Sequence, residues 1–330
     1  MIEADGLVKR YGAFEAVRGV TFRIDQGQVV GLLGPNGAGK TSIMRVLTCY
    51  HFPTSGTARV DSHDVVQEPH EVRRSIGYLP ENAPLYDDMK VKEYLSFTAD
   101  ARGLGGSRRR ERIDAVVENC GLPAMYDREI RKLSKGYKQR VGLAQAIIHD
   151  PSVLILDEPT SGLDPNQIVE IRALIANLGK KKTVILSTHI LQEVEALCKR
   201  VLIMSGGRLV AQGTPEEIAR GIREGLVLSV TLKGPIDAAA ADALARLDGV
   251  QAVSSPRVLA GERVEIDLDV APGSDPSEAV YDWAVAHGCK ILGMRTEKTS
   301  LEEIFAQLTG ASGPAGGQTL RAPGSGRRDA

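Results

Sequence analysis

An α/β fold built on a mainly parallel sheet is predicted for the first two thirds of this 330-residue sequence, with a smaller α+β domain behind it. Three observations carry that prediction. Val29 to Leu33, Val153 to Leu156 and Val184 to Leu186 are short, continuous apolar runs, the pattern of strands covered on both faces. Helical patterns lie between them, as where Ile43, Val46, Leu47 and Tyr50 follow the i, i+3, i+4, i+7 spacing of an amphipathic helix. From residue 226 the order changes to strand, helix, strand, strand, helix, strand, which is the ferredoxin-like sequence of elements.

In chain order, residues 20 to 24 alternate like a half-buried strand. The segment from about 85 to 150 is charged, helix-rich and without strand patterning, and reads as a helical subdomain inside the first domain. Within it, Arg108-Arg-Arg110 and Arg112 read as a solvated helix end. Ser205-Gly-Gly-Arg208 between Val201 to Met204 and Leu209 to Ala211 is a two-glycine hairpin signal. Thr214-Pro-Glu-Glu217 is a capping box with proline at the first helical position.

The second domain reads as strand Val227 to Leu232, helix Asp237 to Leu247, strands Val250 to Ser255 and Val264 to Val270, helix Pro276 to His287 and strand Lys290 to Met294. Trp283 belongs to its core. A last amphipathic helix starts at Thr299 with Glu302 as its capping partner. The domains are therefore placed at 1–220 and 226–310, with a disordered Gly, Ser, Pro, Ala and Arg tail over 311–330.

Composition excludes several classes. Lys plus Arg total 41 against 42 Asp plus Glu, a net charge of -1, so no global basic field exists to hold nucleic acid or an anionic membrane. Cys49, Cys120, Cys198 and Cys289 lie far apart, without zinc or disulfide spacing, which fits a reducing cytoplasm. No stretch approaches the ~18 apolar residues of a membrane span, and the first residues lack the apolar core of a signal peptide. A soluble protein is expected, and any membrane spans must come from another polypeptide.

Gly34-Pro-Asn-Gly-Ala-Gly-Lys-Thr41 directly follows an apolar strand and directly precedes an amphipathic helix, the context of a phosphate-binding loop. Such a loop turns backbone N–H groups inward around phosphate oxygens at a helix N-terminus. Gly34, Asn36, Gly37, Gly39, Lys40, Thr41 and Ser42 are the candidate ATP-binding residues. Lys40 would reach the β and γ phosphates, and Thr41 would offer a hydroxyl to Mg²⁺. Asp157 and Glu158 end the buried strand that starts at Val153. Side chains alternate along a strand, so one carboxylate should face the metal and the other an attacking water.

Leu133-Ser-Lys-Gly-Tyr137, followed by Lys138-Gln139-Arg140 and 17 residues ahead of Asp157, resembles the signature motif of ABC-type ATPases. Ser161-Gly-Leu-Asp164, His189 in Ser-Thr-His, and Tyr11, 23 residues before Gly34, match the same family in order. The whole-chain pattern, with Ser300-Leu-Glu-Glu-Ile-Phe305, is similar to ATPase subunits of type-2 ABC exporters, and Ile76-Gly-Tyr-Leu-Pro-Glu-Asn82 to their gliding-motility and multidrug-like branch.

The resemblance implies a P-loop ABC-type domain using ATP and Mg²⁺, with Tyr11 stacking on adenine and Thr41, Asp157 and Glu81 at the metal. It implies Glu158 as general base and His189 as sensor of the γ-phosphate. It further implies a head-to-tail homodimer or paired ATPase subunit, with Ser134, Lys135 and Gly136 covering the partner's ATP and Asp164 linking the two sites. Lys135 and Tyr137 depart from the family's glycine and glutamine, and Glu81 stands where a glutamine is usual. The implied partner is a multi-span membrane permease, through which alone the subunit contacts the inner face of the cell membrane. A solute-importer ATPase and a non-transport ATPase acting on nucleic acid or ribosomes are the alternative functions. No nucleic acid is expected: one phosphate loop is present, and coiled coils and zinc modules are not.

Overall fold

The structure, a computed structural model, describes residues 1–215, 217–218, 226–234, 242–259, 263–271, 274–297 and 305. Strands Ile2–Tyr11 (β1) and Phe14–Ile24 (β2) form an antiparallel pair at the N-terminus. Val29–Leu33 (β3) then runs into helix Lys40–Leu47 (α1). Ser55–Val60 (β4) and His63–Asp64 (β5) complete an antiparallel layer ordered β2-β1-β4-β5. Helix Pro69–Ser75 (α2) leads into strand Ile76–Leu79 (β6).

The predicted helical segment contains Val91–Ala101 (α3), Gly106–Asn119 (α4) and Lys135–Ile147 (α5). Val153–Asp157 (β7), Pro165–Gly179 (α6), Thr183–Thr188 (β8), Leu191–Leu197 (α7), Arg200–Ser205 (β9) and Arg208–Gly213 (β10) follow. The main sheet is ordered β10-β9-β3-β8-β7-β6, and only the β10 pairing within it is antiparallel.

The continuous apolar runs are explained by this middle position. Along β7, Val153 and Ile155 pack with α1 and the antiparallel layer, whereas Leu154 and Leu156 pack with the helical segment. Both faces of the strand are thus core, and each such side chain contributes roughly 1.5–3 kcal/mol of burial. The apolar helix pattern that included Tyr50 extends one turn too far. Ile43, Val46 and Leu47 are buried, but α1 stops at Leu47, Cys49 turns left-handed at φ 56°, and Tyr50 is exposed.

Arg112 also departs from expectation. Instead of lying in solvent it donates to the carbonyls of Ile147 and Ile148, each at 2.9 Å, satisfying acceptors left open at the end of α5. Under the same helix end, His149 Nε2 lies 2.9 Å from the Ile76 carbonyl, and its buried Nδ1 has no hydrogen-bond partner among the described residues. Burial, with Arg102 close by, pushes the His149 pKa down to about 4. A base depressed on folding binds fewer protons in the folded state, so the stability it permits is complete above the unfolded value near pH 6.5. That stability is lost as pH falls toward about 4. Urea unfolding at pH 7 and pH 4.5 should show acid destabilisation of at most ~2 kcal/mol after solvent screening, and a smaller difference in His149→Gln.

The predicted two-glycine hairpin joins β9 and β10, with Gly206 and Gly207 at φ 53° and 81°. The capping box is reciprocal: Thr214 N donates to Glu217 at 2.8 Å, and Glu217 N donates to the Thr214 hydroxyl at 3.1 Å.

Beyond it, Leu226–Lys233 (β11), Val250–Val253 (β12), Arg257–Leu259 (β13), Arg263–Val270 (β14), Ser277–Ala286 (α8) and Lys290–Glu297 (β15) form the second unit. Strand order β12-β14-β11-β15, all pairings antiparallel, is the split βαβ arrangement of a ferredoxin-like sheet. Leu228, Val230, Ile266, Leu268, Val280 and Trp283 make its own core. The short strand β13 is not legible in the sequence, and β12 ends two residues early, ahead of Pro256. Residues 237–241 of the first predicted helix and the tail over 311–330 lie outside the described residues. So does the helix from Thr299, apart from Phe305, which packs against the larger core of the first unit.

Candidate functional site

The C-terminal ends of the parallel strands β3, β7 and β8 point at one place, the position where α/β sheets hold ligands. Between β3 and α1 the chain makes a tight loop over Gly34 to Gly39. Gly39 caps α1 at φ 103°, and a Cβ there would come within 2.4 Å of the Ala16 carbonyl, so only glycine serves. The hairpin tip braces the loop through a hydrogen bond from Gly207 N to the Ala38 carbonyl at 3.2 Å. Lys40, 6% exposed, donates from Nζ to the carbonyls of Gly34 at 2.7 Å and Pro35 at 3.3 Å. The same ammonium lies 3.6 Å from Glu158.

The two carboxylates at the end of β7 diverge, as strand alternation predicts, and the backbone sharpens the divergence. Glu158 adopts φ 47°, a left-handed conformation that costs energy in any residue but glycine. Asp157 Oδ1 accepts from Thr41 Oγ1 at 3.4 Å and from Ser187 Oγ at 2.5 Å. The Ser187 hydroxyl in turn accepts from Glu158 N at 3.0 Å. Glu158 Oε2 lies 2.9 Å from His189 Nδ1. Burial pushes the Glu158 pKa above the usual carboxylate value, against the opposite pull of His189 and Lys40. A carboxyl raised in this way, hydrogen-bonded to an imidazole and beside a phosphate-binding loop, can accept a proton from water.

A cleft of about 350 Å³ opens over these groups, and Tyr11, Asn36, Gly37, Gly39, Lys40, Thr41, Ser42, Glu81, Glu158 and His189 all line it. Gly34 contributes its carbonyl to Lys40 rather than a wall. Tyr11 meets His51 edge-on at 5.6 Å and, with exposed Phe14 opposite it in the β1–β2 ladder, gives the cleft an aromatic side. Phe14 went unnoticed in the sequence, where nothing but its nearness to Tyr11 marks it. A larger concavity of about 730 Å³ lies along β1, β2 and β4, where Arg23 pairs with Glu3 at 3.1 Å and with Asp25 at 3.0 Å. The smaller cleft has the reactive groups.

Thr41 and Asp157 supply hard oxygens, and no three His, Cys, Asp or Glu side chains among the described residues form a metal cluster. That half-built donor set fits Mg²⁺, which takes one or two protein oxygens and completes its shell with phosphate and water.

Ser134, Lys135, Gly136 and Asp164 do not line the cleft. Ser134 caps α5 and Asp164 caps α6, each accepting from a backbone N–H three residues on, at 3.4 and 2.9 Å. Gly136 is buried against Gln167, and the Lys135 ammonium lies over Gly162, so the two loops are stitched together within one chain.

The fold and this cleft define a phosphate-loop ATPase. Residues 17–161 match the family described as ABC transporter. The daunorubicin resistance ATP-binding protein DrrA3 of Streptomyces coeruleorubidus is 35% identical over 94% of this chain and 96% of its own. The linearmycin resistance ATP-binding protein LnrL of Bacillus subtilis (strain 168) is 30% identical over 94% of this chain and 98% of its own. A solved structure of an ATP-binding subunit of an ABC transporter superposes with a TM-score of 0.62, at 31% identity, covering 67% of this chain and 93% of that one. The chain belongs to the ABC transporter ATP-binding family. No helix among the described residues is long and apolar enough to cross a membrane.

Proposed function

We propose that this chain is the ATP-hydrolysing subunit of an exporter whose membrane-spanning part is a separate multi-span permease. The observation that carries the enzymatic part is Glu158 set between Lys40 and His189 at the mouth of the phosphate loop. The exporter part is supported by the near full-length similarity to resistance ATP-binding proteins. Residues 1–220 are taken as the nucleotide-binding unit and 226–310 as an accessory unit, and the subunit works at the cytoplasmic face of the membrane through its permease.

In this reading the loop N–H groups and Lys40 hold the β and γ phosphates, and Tyr11 flanks the base. Thr41 and Asp157 would hold Mg²⁺, which when bound would neutralise phosphate charge. Glu158 takes the proton of the attacking water, and His189 holds Glu158 and faces the γ-phosphate. Ser134, Lys135 and Gly136 are outside their own cleft, which supports their acting on the nucleotide of a second copy placed head-to-tail, with Asp164 at the junction. A helix N-terminus brought onto a γ-phosphate adds donors and dipole only when ATP is present. Co-purification from membranes tests the transport role: a multi-span membrane protein is expected, and RNA or ribosomal protein in its place would overturn it.

Glu81 is exposed on the cleft wall, where it would add a second carboxylate to the metal set of Thr41 and Asp157. Glu81→Gln should stay active but need more Mg²⁺ for half-maximal ATPase, and Glu81→Ala should lose more, because no side-chain oxygen remains at position 81. Overlapping Mg²⁺ titrations for the wild type and both variants would remove Glu81 from the metal site.

A further inference from the structure

Beneath the cleft lies a carboxylate that has no part in the proposed nucleotide and metal contacts. Glu193, in the first turn of α7, is 1% exposed. A buried carboxylate is costly unless its oxygens are matched, and here both are. Thr160 Oγ1 donates to Oε1, and Thr188 Oγ1 donates to Oε2 at 2.7 Å. An Arg172 guanidinium nitrogen lies 3.9 Å from Oε1.

The two threonines occupy particular places. Thr160 is two residues past Glu158, and Thr188 immediately precedes His189. The Thr188 hydroxyl also accepts from Ile190 N at 3.0 Å, so the backbone is tied on both sides of His189. Both threonines are buried, and neither they nor Glu193 line the cleft. The loops carrying Glu158 and His189 leave different strands, β7 and β8. They meet above at the 2.9 Å contact between those two side chains and below at the single carboxylate of Glu193.

We propose that Glu193 is a positioning residue for ATP hydrolysis: its two oxygens clamp Thr160 to Thr188 and thereby hold Glu158 and His189 at their working separation. This rests on the reading of Glu158 as the base and His189 as its partner. An apolar side chain of similar volume would fill the same space but leave two buried hydroxyls unpaired. A glutamine offers one acceptor oxygen and an NH₂, so it cannot accept from both threonines. Reacting groups displaced by about 1 Å lose on the order of 10²-fold in rate.

The test measures kcat, KM for MgATP, equilibrium ATP binding and melting temperature on the full chain for Glu193→Gln, Thr188→Val, Thr188→Ser and, as a reference, Glu158→Gln. Glu193→Gln and Thr188→Val should lose about 10- to 100-fold in kcat with KM and ATP affinity within about twofold of wild type. Thr188→Ser, which keeps the hydroxyl, should restore most of the rate, a result that packing alone would not give. If Glu193→Gln fails to fold, the contrast between valine and serine at 188 decides. Wild-type turnover in folded Glu193→Gln, a fall in ATP affinity matching the fall in kcat, or equal rates for the valine and serine variants would each overturn the clamp. An inactive Glu158→Gln beside a fully active Glu193→Gln removes the clamp alone, whereas a fully active Glu158→Gln removes the base and the clamp with it.

Discussion

Glu158→Gln should stop ATP turnover by about 10²- to 10⁴-fold while ATP remains bound. Glutamine keeps the shape and one hydrogen-bond acceptor for His189, but it has no basic oxygen to take a proton. It also removes a negative charge 3.6 Å from the Lys40 ammonium, in a pocket built for phosphates, so ATP affinity should hold or rise. With hydrolysis blocked and MgATP supplied, the variant should elute as a dimer in size exclusion. A variant that binds ATP and stays monomeric would count against the head-to-tail arrangement, and wild-type phosphate release would count against the base. The pH profile of the wild type gives a second readout. Because burial raises the Glu158 pKa, the acid limb of kcat/KM should begin at higher pH than a solvent-exposed glutamate would give, and Glu158→Gln should show no such limb.

Lys40→Ala should fail at an earlier stage. Removing the ammonium takes away a side-chain cation that lies under the loop and touches its carbonyls at 2.7 and 3.3 Å. Loss of one preorganised donor to a reacting oxyanion costs about 10²- to 10³-fold, and here ATP binding should weaken as well, since in the proposed function the same group holds the phosphates in the ground state. Glu158 would also lose the Lys40 ammonium, which opposes the effect of its burial. Equilibrium ATP binding and phosphate release on one preparation separate the two defects, and unchanged values for both would exclude the phosphate-loop reading.

The parts of the molecule that sequence reveals are those where the cause is local. Gly34 to Thr41 needs no distant residue to be recognised, because the spacing itself encodes left-handed turns and a helix start. The buried strands β3, β7 and β8 announce themselves because both faces are core. Strand β1 does not: Gly6 sits at φ 54°, the pairing register shifts beside it, and the alternation that would have marked a strand is broken. Strand β4 is mostly exposed, and β6 has four residues, too few to show a period. Glu193 is the sharpest case. In Gln192-Glu-Val-Glu195 it has the same local look as Glu195, and only the arrival of Thr160 from 33 residues away, beside Thr188 five residues back, makes one of them a buried anchor. Ser187 was equally hidden, although its hydroxyl joins Asp157 to the backbone of Glu158.

Helix α5 rests on β6 almost backbone to backbone. A Cβ on Gly77 would fall within 2.1 Å of the Ala146 carbonyl, and one on Gly142 within 2.8 Å of Leu79 and 3.0 Å of Ala83. Ser134, Lys135 and Gly136 sit at the start of that helix, and Glu81 lies two residues beyond that strand. This contact surface sets a limit on mutational tolerance that has nothing to do with nucleotide. Alanine at 77 would have to push the helix off the strand, since a backbone oxygen cannot rotate away as a side chain can. In a library covering every position of the chain, 77 should therefore be as intolerant as the phosphate loop, and its variants should fail by losing the folded chain before any loss of chemistry could be measured.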